Sequence, residues 1–449
     1  MYRPPRLTLL TNRDRIAVNM TTRNGLLLAG CIAGNLAFST ISPSAWAQDS
    51  ASSQPLAAQR YRTAIEDIEA REGAYGGGLT QSLMSLGQVL QKQGDHENAV
   101  DAFKRAMHVN RVNEGLYNLG QVPILEELIE SEIAQENWED ANDKHQYLFW
   151  LHRRNFGDTD YRLLPVIEKL SKWHLNIYTL NLSEGLHQHL VSAHALFRLA
   201  VNIIDNSYGQ NDLRLVKSLR GLTATNYFLR QFRAAESMKL THTSARGGST
   251  PTAQERAKLD QYTINSYASG KRAMTRIVDV LDSNPEVTPS AAAKAKVGLG
   301  DWYLLFDKWK SAQETYQEAY NELVASEADP RIIKSLFGRP VALPDMPLLV
   351  TEIKETTKDT PYVLVTFDVT SYGRAKNVNI LESFPDDQMR LRSKVRRSLK
   401  AAKFRPRFEN GEAVLTETLR HRYLFPEDRK TQKEKLEKER KAQDLAARH

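Results

Sequence analysis

Histidine is the residue type in this chain most able to do chemistry. His187, His189 and His194 lie in one helical pattern, with His174 upstream. Metal ligands on a helix need spacings of three or four to share a face within one turn. Spacings of two and five fail that test. His187 and His194 share a face but lie two turns apart, and no Asp or Cys nearby completes a set. These side chains read as core or surface histidines, and His145, Trp150 and His152 as packing and rim residues. Gly76-Gly77-Gly78 is not preceded by a strand or followed by a Lys-Ser/Thr pair, so it reads as a helix-entry turn and not as a phosphate loop. No nucleophile-elbow motif and no carboxylate pair stands out. The sequence assigns no catalytic, cofactor-binding or metal-ligating residue, and the chain reads as a non-enzyme with no cofactor.

The strongest charge feature is a basic run. Arg390, Arg392, Lys394, Arg396, Arg397, Lys400, Lys403, Arg405 and Arg407 crowd one segment, and residues 362–407 hold 11 basic against 4 acidic residues. One reading is a solvated helix face. The other is a surface for an acidic partner: anionic lipid headgroups, a cell-wall polymer or an acidic protein. Nucleic acid is disfavoured, because no aromatic residues are interleaved for base stacking.

The elements that carry this run are legible. Tyr362 to Thr370 alternates apolar and polar residues as a half-buried strand does. Tyr372-Gly373-Arg374 makes a turn, and Val378 to Ser383 resumes the extended pattern. Asp386 to Lys403 is helical, with Met389, Val395, Leu399 and Ala402 as inward candidates. Phe404-Arg-Pro406 ends the helix, and Asn410-Gly411 turns into a last strand, Ala413 to Phe425. The predicted module is one helix on one sheet.

With Gly373 between the first two strands, Ser383 after the second, Phe404-x-Pro406 after the helix and Gly411 before the closing strand, this stretch resembles the C-terminal domain of TonB, the energy transducer of Gram-negative bacteria. The match covers roughly the last fifth of the chain. The resemblance implies a periplasmic module that pairs an exposed strand with a segment of an outer-membrane protein. The partner-binding candidates are Val378, Asn379 and Ile380 on one strand, Val414 to Leu419 on the closing strand, and Arg396, Arg397 and Lys400 on the helix.

Upstream, residues 48–337 read as an α-solenoid of degenerate tetratricopeptide-like repeats. Leu83-x2-Leu86-Gly87-x2-Leu90, then Gly94, Ala99, Phe103 and Ala106, match a repeat of about 34 residues. Small Gly87, Ala99 and Ala106 let two helices approach, and the larger residues fill between them. Arg111 stands where the pattern usually has proline. Leu299-Gly300-Asp-Trp302-Tyr303, followed by Trp309, Ala312, Tyr316 and Ala319, is a second unit. Leu125, Leu128, Trp138, Ala141 and Leu148 fit loosely, as do Ala273, Ile277, Val280 and Pro285. Asn155-Phe-Gly-x-x-Asp160-x-Arg-Leu163 returns as Ser207-Tyr-Gly-x-x-Asp212-x-Arg-Leu215, each with Asp placed to cap a helix, and more faintly as Ala74-Tyr-Gly. Thr241 to Thr252 reads as an exposed loop. Tyr117, Trp138, Trp173, Tyr227, Trp302, Tyr303 and Trp309 read mostly as core.

Residues 1–47 read as a secretory signal: five arginines, an apolar stretch from Gly25 to Phe38, and Ala45-Trp46-Ala47, with cleavage between Ala47 and Gln48. Met20 is a more ordinary start. Two alternatives are a lipidated Cys31 in Leu28-Ala-Gly-Cys31, and an uncleaved membrane anchor. The formal net charge of +7 includes an excess of four in this segment, leaving +3 and a weak case for a chain-wide polyanion partner. Removing Cys31, the single cysteine, leaves no thiol chemistry. Residues 338–347, with Pro340, Pro344 and Pro347, read as a stiff connector, residues 348–426 as the TonB-like module with an extra strand near Leu348 to Ile353, and residues 427–449 as a charged, solvated tail.

The combined expectation is a mainly α chain: a repeat solenoid followed by a small α+β module. Its function is that of an exported, non-enzymatic adaptor or scaffold for protein or peptide partners of the cell envelope, in the periplasm. The alternative is a TonB-type energy transducer acting on outer-membrane transporters and anchored by an uncleaved N-terminal segment. Against it, a folded solenoid occupies the place of the long Pro-rich spacer.

Overall fold

A computed structural model describes the backbone of residues 48–183, 185–242, 253–346, 360–386 and 389–426, and side chains at 56–183, 185–232, 264–346, 360–386 and 389–426. The expectations for residues 1–47, for 243–252 of the exposed loop, for 347–353 and for 427–449 lie outside these. The chain forms two compact units that divide between Asn155 and Phe156.

The first unit contains α1 (Gln48–Glu72), α2 (Leu79–Lys92), α3 (His96–Glu114), α4 (Gln121–Ala134) and all but the last residue of α5 (Trp138–Phe156). Leu83, Leu86, Leu90, Ala99, Phe103 and Ala106 are all buried, as their spacing predicts. Gly87 sets the distance between α2 and α3: a Cβ there would stand 2.4 Å from the Phe103 ring. Where the repeat pattern expects proline, Arg111 lets α3 run on to Glu114, and Gly115 at φ 91° ends it. Leu125, Leu128, Ala141 and Leu148 are also buried.

The second unit begins with α6 (Leu164–Leu180), α7 (Leu186–Tyr208), α8 (Leu215–His242), α9 (Ala253–Asp282), α10 (Pro289–Leu305), α11 (Trp309–Ala325) and α12 (Pro330–Phe337). Consecutive helices from α6 to α11 pack on one another. The Gly-against-aromatic contact of the first unit recurs at Gly221 on Phe197, Gly270 on Trp302 and Gly300 on Tyr316. Each brings two helices close with a ring as the wedge, which is the tetratricopeptide-like device the Leu-Gly spacing predicts. The two echoed motifs are helix entries. Gly157 and Gly209 take φ of 91° and 99°, and Asp160 and Asp212 accept from the backbone N–H of Arg162 and Arg214. Each arginine also pairs with its aspartate and covers the preceding ring, Phe156 at 4.2 Å and Tyr208 at 4.0 Å. Asp329 and Arg331 repeat the turn before α12. Thr241, expected in a loop, lies instead in the last turn of α8.

The same unit continues into β1 (Val341–Leu343), β2 (Tyr362–Val369), β3 (Ala375–Phe384), α13 (Met389–Ala401), β4 (Lys403–Arg405), β5 (Arg407–Glu409), β6 (Glu412–Val414) and β7 (Thr416–Leu424). The main sheet is antiparallel in the order β3-β2-β7. α13 covers one face, and Val363, Val365, Phe367, Val369, Val395, Leu399, Phe404 and Tyr423 form the core. Three local expectations are corrected. The helix stops at Ala401, and Lys403–Arg405 is extended because it pairs with Val341–Leu343, inside the stretch read as a connector. Asn410-Gly411, at φ 50° and 84°, closes a separate β5–β6 hairpin. The closing strand is broken at Leu415.

Candidate docking surfaces

The C-terminal module is fixed to the last helices by a buried polar knot. Arg405 on β4 donates to both carboxylate oxygens of Asp301 on α10, at 2.8 and 2.5 Å, and to the Leu336 carbonyl at 3.2 Å. The Tyr316 hydroxyl donates to Asp301 at 2.7 Å, and Asp345 approaches the guanidinium at 3.4 Å. Burial works against the charge on Arg405, but Asp301 more than offsets it and holds the guanidinium protonated. Burial, reinforced by Asp301, pushes the Tyr316 hydroxyl well above its ordinary range. A second contact lies beside it. Lys403 donates to the Leu305 carbonyl at 2.7 Å and pairs with Asp307 at 2.8 Å, and Arg374 pairs with the same aspartate. Burial pulls Lys403 below its usual range despite Asp307. Phe408 on β5 enters a cluster of Tyr316, Tyr320 and Phe337, and Trp309 meets Tyr372 edge-on at 5.2 Å. Gly373 is required twice at this junction. Its φ is +72°, and a Cβ would stand 2.1 Å from the Phe404 carbonyl oxygen that packs on the turn.

This docking leaves β3 and β7 as the two outer strands, each paired only with β2 among the described residues. They are not equivalent. The β2–β3 register shifts twice, near Leu364 and Thr366. The β2–β7 register is unbroken from Leu419 to Leu424, opposite Phe367 to Tyr362, and shifts only beyond Phe367. Thr418, at φ 53°, donates its N–H to Asp368 at 2.8 Å and makes that irregularity. An unbroken edge offers regularly spaced backbone donors and acceptors, whereas bulges and charges discourage pairing. By register β7 is the better template, and its exposed Glu417, Arg420 and Arg422 are charges that a pairing strand would have to match.

The partner-binding candidates fall in different settings. Val378 and Ile380 are half-buried against the module core, so only the exposed Asn379 of that trio presents its side chain to solvent. Val414 belongs to β6, opposite Arg407, while Leu419 belongs to β7 and packs on the core. Arg396, Arg397 and Lys400 are exposed together on α13. Gln48 is the first residue of α1, and Ala47 lies outside the described residues. The sequence reading missed Arg405: within the basic run, nothing local distinguishes it from its solvated neighbours.

The histidines sit between α6, α7 and α8. Nδ1 of His174 and Nδ1 of His189 are 2.8 Å apart. Ser183 Oγ lies 3.3 Å from His189 Nε2, and His194 Nδ1 lies 3.1 Å from Thr225 Oγ1. Burial lowers His189 and takes His194 down to about 4. No three His, Cys, Asp or Glu among the described residues are grouped to hold a metal ion. A groove beside α9 is lined by Gln210, Tyr267, Lys271, Arg272 and Arg276, with Arg276 tied to Asp205 and the Gln210 carbonyl. Among the aromatics expected in the core, Trp302 is buried, but Tyr117 and Trp309 are 49% and 40% exposed. Tyr117 forms a surface cluster with Trp150 and Tyr147. Among the described residues, no helix is long and apolar enough to cross a membrane.

No family model matches the chain, and no curated protein matches it. Among solved structures, BtubC (BKLC) from P. vanneervenii aligns at 12% identity over 69% of this chain and 98% of that one, with a TM-score of 0.34. A Podosopora anserina putative kinesin light chain with nearly identical TPR-like repeats aligns at 9% identity over 56% and 98%, with a TM-score of 0.36. The RpL4 assembly chaperone Acl4 aligns at 16% identity over 64% and 91%, with a TM-score of 0.22. These likenesses are too loose to carry an argument. The repeat assignment rests on the helix pairing and the Gly-against-aromatic contacts of this chain itself.

Proposed function

We propose that this chain is an exported, non-enzymatic adaptor that binds protein partners of the cell envelope through its helical-repeat surface and its TonB-like module. The observation that carries this reading is the β7 edge, Leu419 to Leu424, unpaired on its outer side among the described residues, on a sheet anchored to the last helices. An extended peptide adds to such an edge by backbone hydrogen bonds, and side-chain pockets then select its sequence. An anchored sheet loses little freedom on binding, so more of the interaction energy appears as affinity.

The test is photo-crosslinking in cells from positions Arg420 and Arg422 on β7, with Glu409 on the β5–β6 hairpin as control, together with fractionation and the mass of the mature N-terminus. Adducts from β7 but not from Glu409, on a periplasmic chain beginning at Gln48, support the reading. Equal adducts at all three positions remove the strand edge from it. A chain that keeps residues 25–38 in the inner membrane replaces the adaptor with the energy-transducer alternative.

A further inference from the structure

We propose that the outward face of α13 docks on an anionic phospholipid bilayer. The helix sequence, MRLRSKVRRSLKA, has six cations and no acid. At 100° per residue, exposed Met389, Arg390, Ser393, Arg396, Arg397 and Lys400 share one arc, opposite buried Val395, Ser398 and Leu399. The fold engages the flanking cations: Arg392 donates to Ser383 Oγ at 2.8 Å and to the Asp386 carbonyl, and Lys394 lies over the Phe425 ring at 5.1 Å. Arg390, Arg396 and Lys400 have no hydrogen-bond or ion-pair partner among the described residues.

One apolar side chain marks the N-terminal end of this face: Met389 is 69% exposed in the arc. Cations that reach phosphates, beside an apolar group that enters the acyl boundary, fit a lipid–water interface. This face is a convex helix whose long side chains reach outward, which suits a headgroup layer that has no fixed shape to match. The proposal rests on the adaptor reading only in placing the module at the envelope. Failure of vesicle binding leaves the strand-edge crosslinks standing.

The experiment is co-flotation of the whole mature chain with vesicles of equal parts phosphatidylglycerol and phosphatidylcholine, with phosphatidylcholine alone as control. Binding is expected only to the anionic vesicles, and it should weaken as salt screens the charges. Each surface cation is worth about fivefold in partitioning, so the triple variant Arg390→Gln, Arg396→Gln, Lys400→Gln should lose on the order of 10²-fold. A matched variant, Lys92→Gln, Lys294→Gln, Lys308→Gln, removes the same charge elsewhere and should change little. A second readout uses a polarity-sensitive fluorophore on Ser393→Cys, with Cys31→Ser wherever the native cysteine is retained; its emission should shift to the blue on anionic vesicles. Undiminished binding by the α13 variant, equal losses in both variants, or retention on poly-glutamate beads without vesicle binding would each overturn the proposal.

Discussion

Replacing Arg405 with Met tests whether the module is locked to the helices by the knot at Asp301. The substitution keeps much of the side-chain volume but strips Asp301 of its bidentate partner. Asp301 and Arg405 are both buried, so the carboxylate left behind has the Tyr316 hydroxyl at 2.7 Å as its remaining neutral donor. Breaking a buried ion pair on one side costs roughly 3–5 kcal/mol, whereas replacing both partners with apolar groups is often close to neutral. Asp345 adds little to the native pair, being 57% exposed and 3.4 Å away. The expected pattern is a large loss for Arg405→Met and a much smaller one for Arg405→Met with Asp301→Leu. Hydrogen exchange of peptides covering β4 and β5 reads the local opening free energy, and the single variant should exchange roughly 10²- to several thousand-fold faster there at about 1.4 kcal/mol per decade. The reasoning is refuted if the single variant costs under about 1 kcal/mol, or if the double variant costs the sum of the two singles.

Two further outcomes follow from buried contacts. Gly300→Ala places a methyl group 2.5 Å from the Tyr316 ring, so it should destabilise the unit by about 1–3 kcal/mol through overpacking, read as a lower urea midpoint; an unchanged midpoint would mean that the helices separate freely. For His194, burial depresses the folded-state value from 6.5 to about 4, so the unfolded chain binds the proton more readily between those two values. Stability from this site is fully present above about pH 6.5 and is lost as pH falls towards 4, on the order of 3 kcal/mol in all. Thr225 is its hydrogen-bond partner, and the nearby Arg198 charge also lowers it. A His194→Gln variant should show a flatter stability profile across that window; a profile as steep as the parent's would place the titration elsewhere.

Local chemistry was legible where one short segment decides the outcome. Leu-Gly-x2-Leu announced the α2–α3 pair because Gly87 and Phe103 are 16 residues apart and belong to one hairpin. Asp160 and Asp212 announced helix entries because their acceptors reach a backbone N–H two residues on. Pairing over long separation was not legible. Val341–Leu343 looks like part of a proline-rich connector, and it is a strand only because Lys403–Arg405 lies alongside it. The Thr418 irregularity that shifts the β2–β7 register depends on Asp368, 50 residues earlier.

The basic run shows why such a feature must be divided before it is given a function. Along the sequence its nine cations from Arg390 to Arg407 look equivalent. In the fold, Arg405 is spent on Asp301, 104 residues away, Lys403 on Asp307, Arg407 on Glu409, and Arg392 on Ser383 and Asp386. Lys394 lies over the Phe425 ring and Arg397 donates to the Ser393 carbonyl, so what remains for a partner is the short arc of Arg390, Arg396 and Lys400, with Met389 beside it. A substitution that neutralises the whole run would therefore unlock the module and strip the surface at once. Only the pair of experiments that separates Arg405 from Arg390, Arg396 and Lys400 can tell a lost partner from a lost fold. The two groups should respond in opposite ways: hydrogen exchange in β4 rises for the first and stays constant for the second, while vesicle binding is lost for the second and survives wherever α13 remains folded in the first.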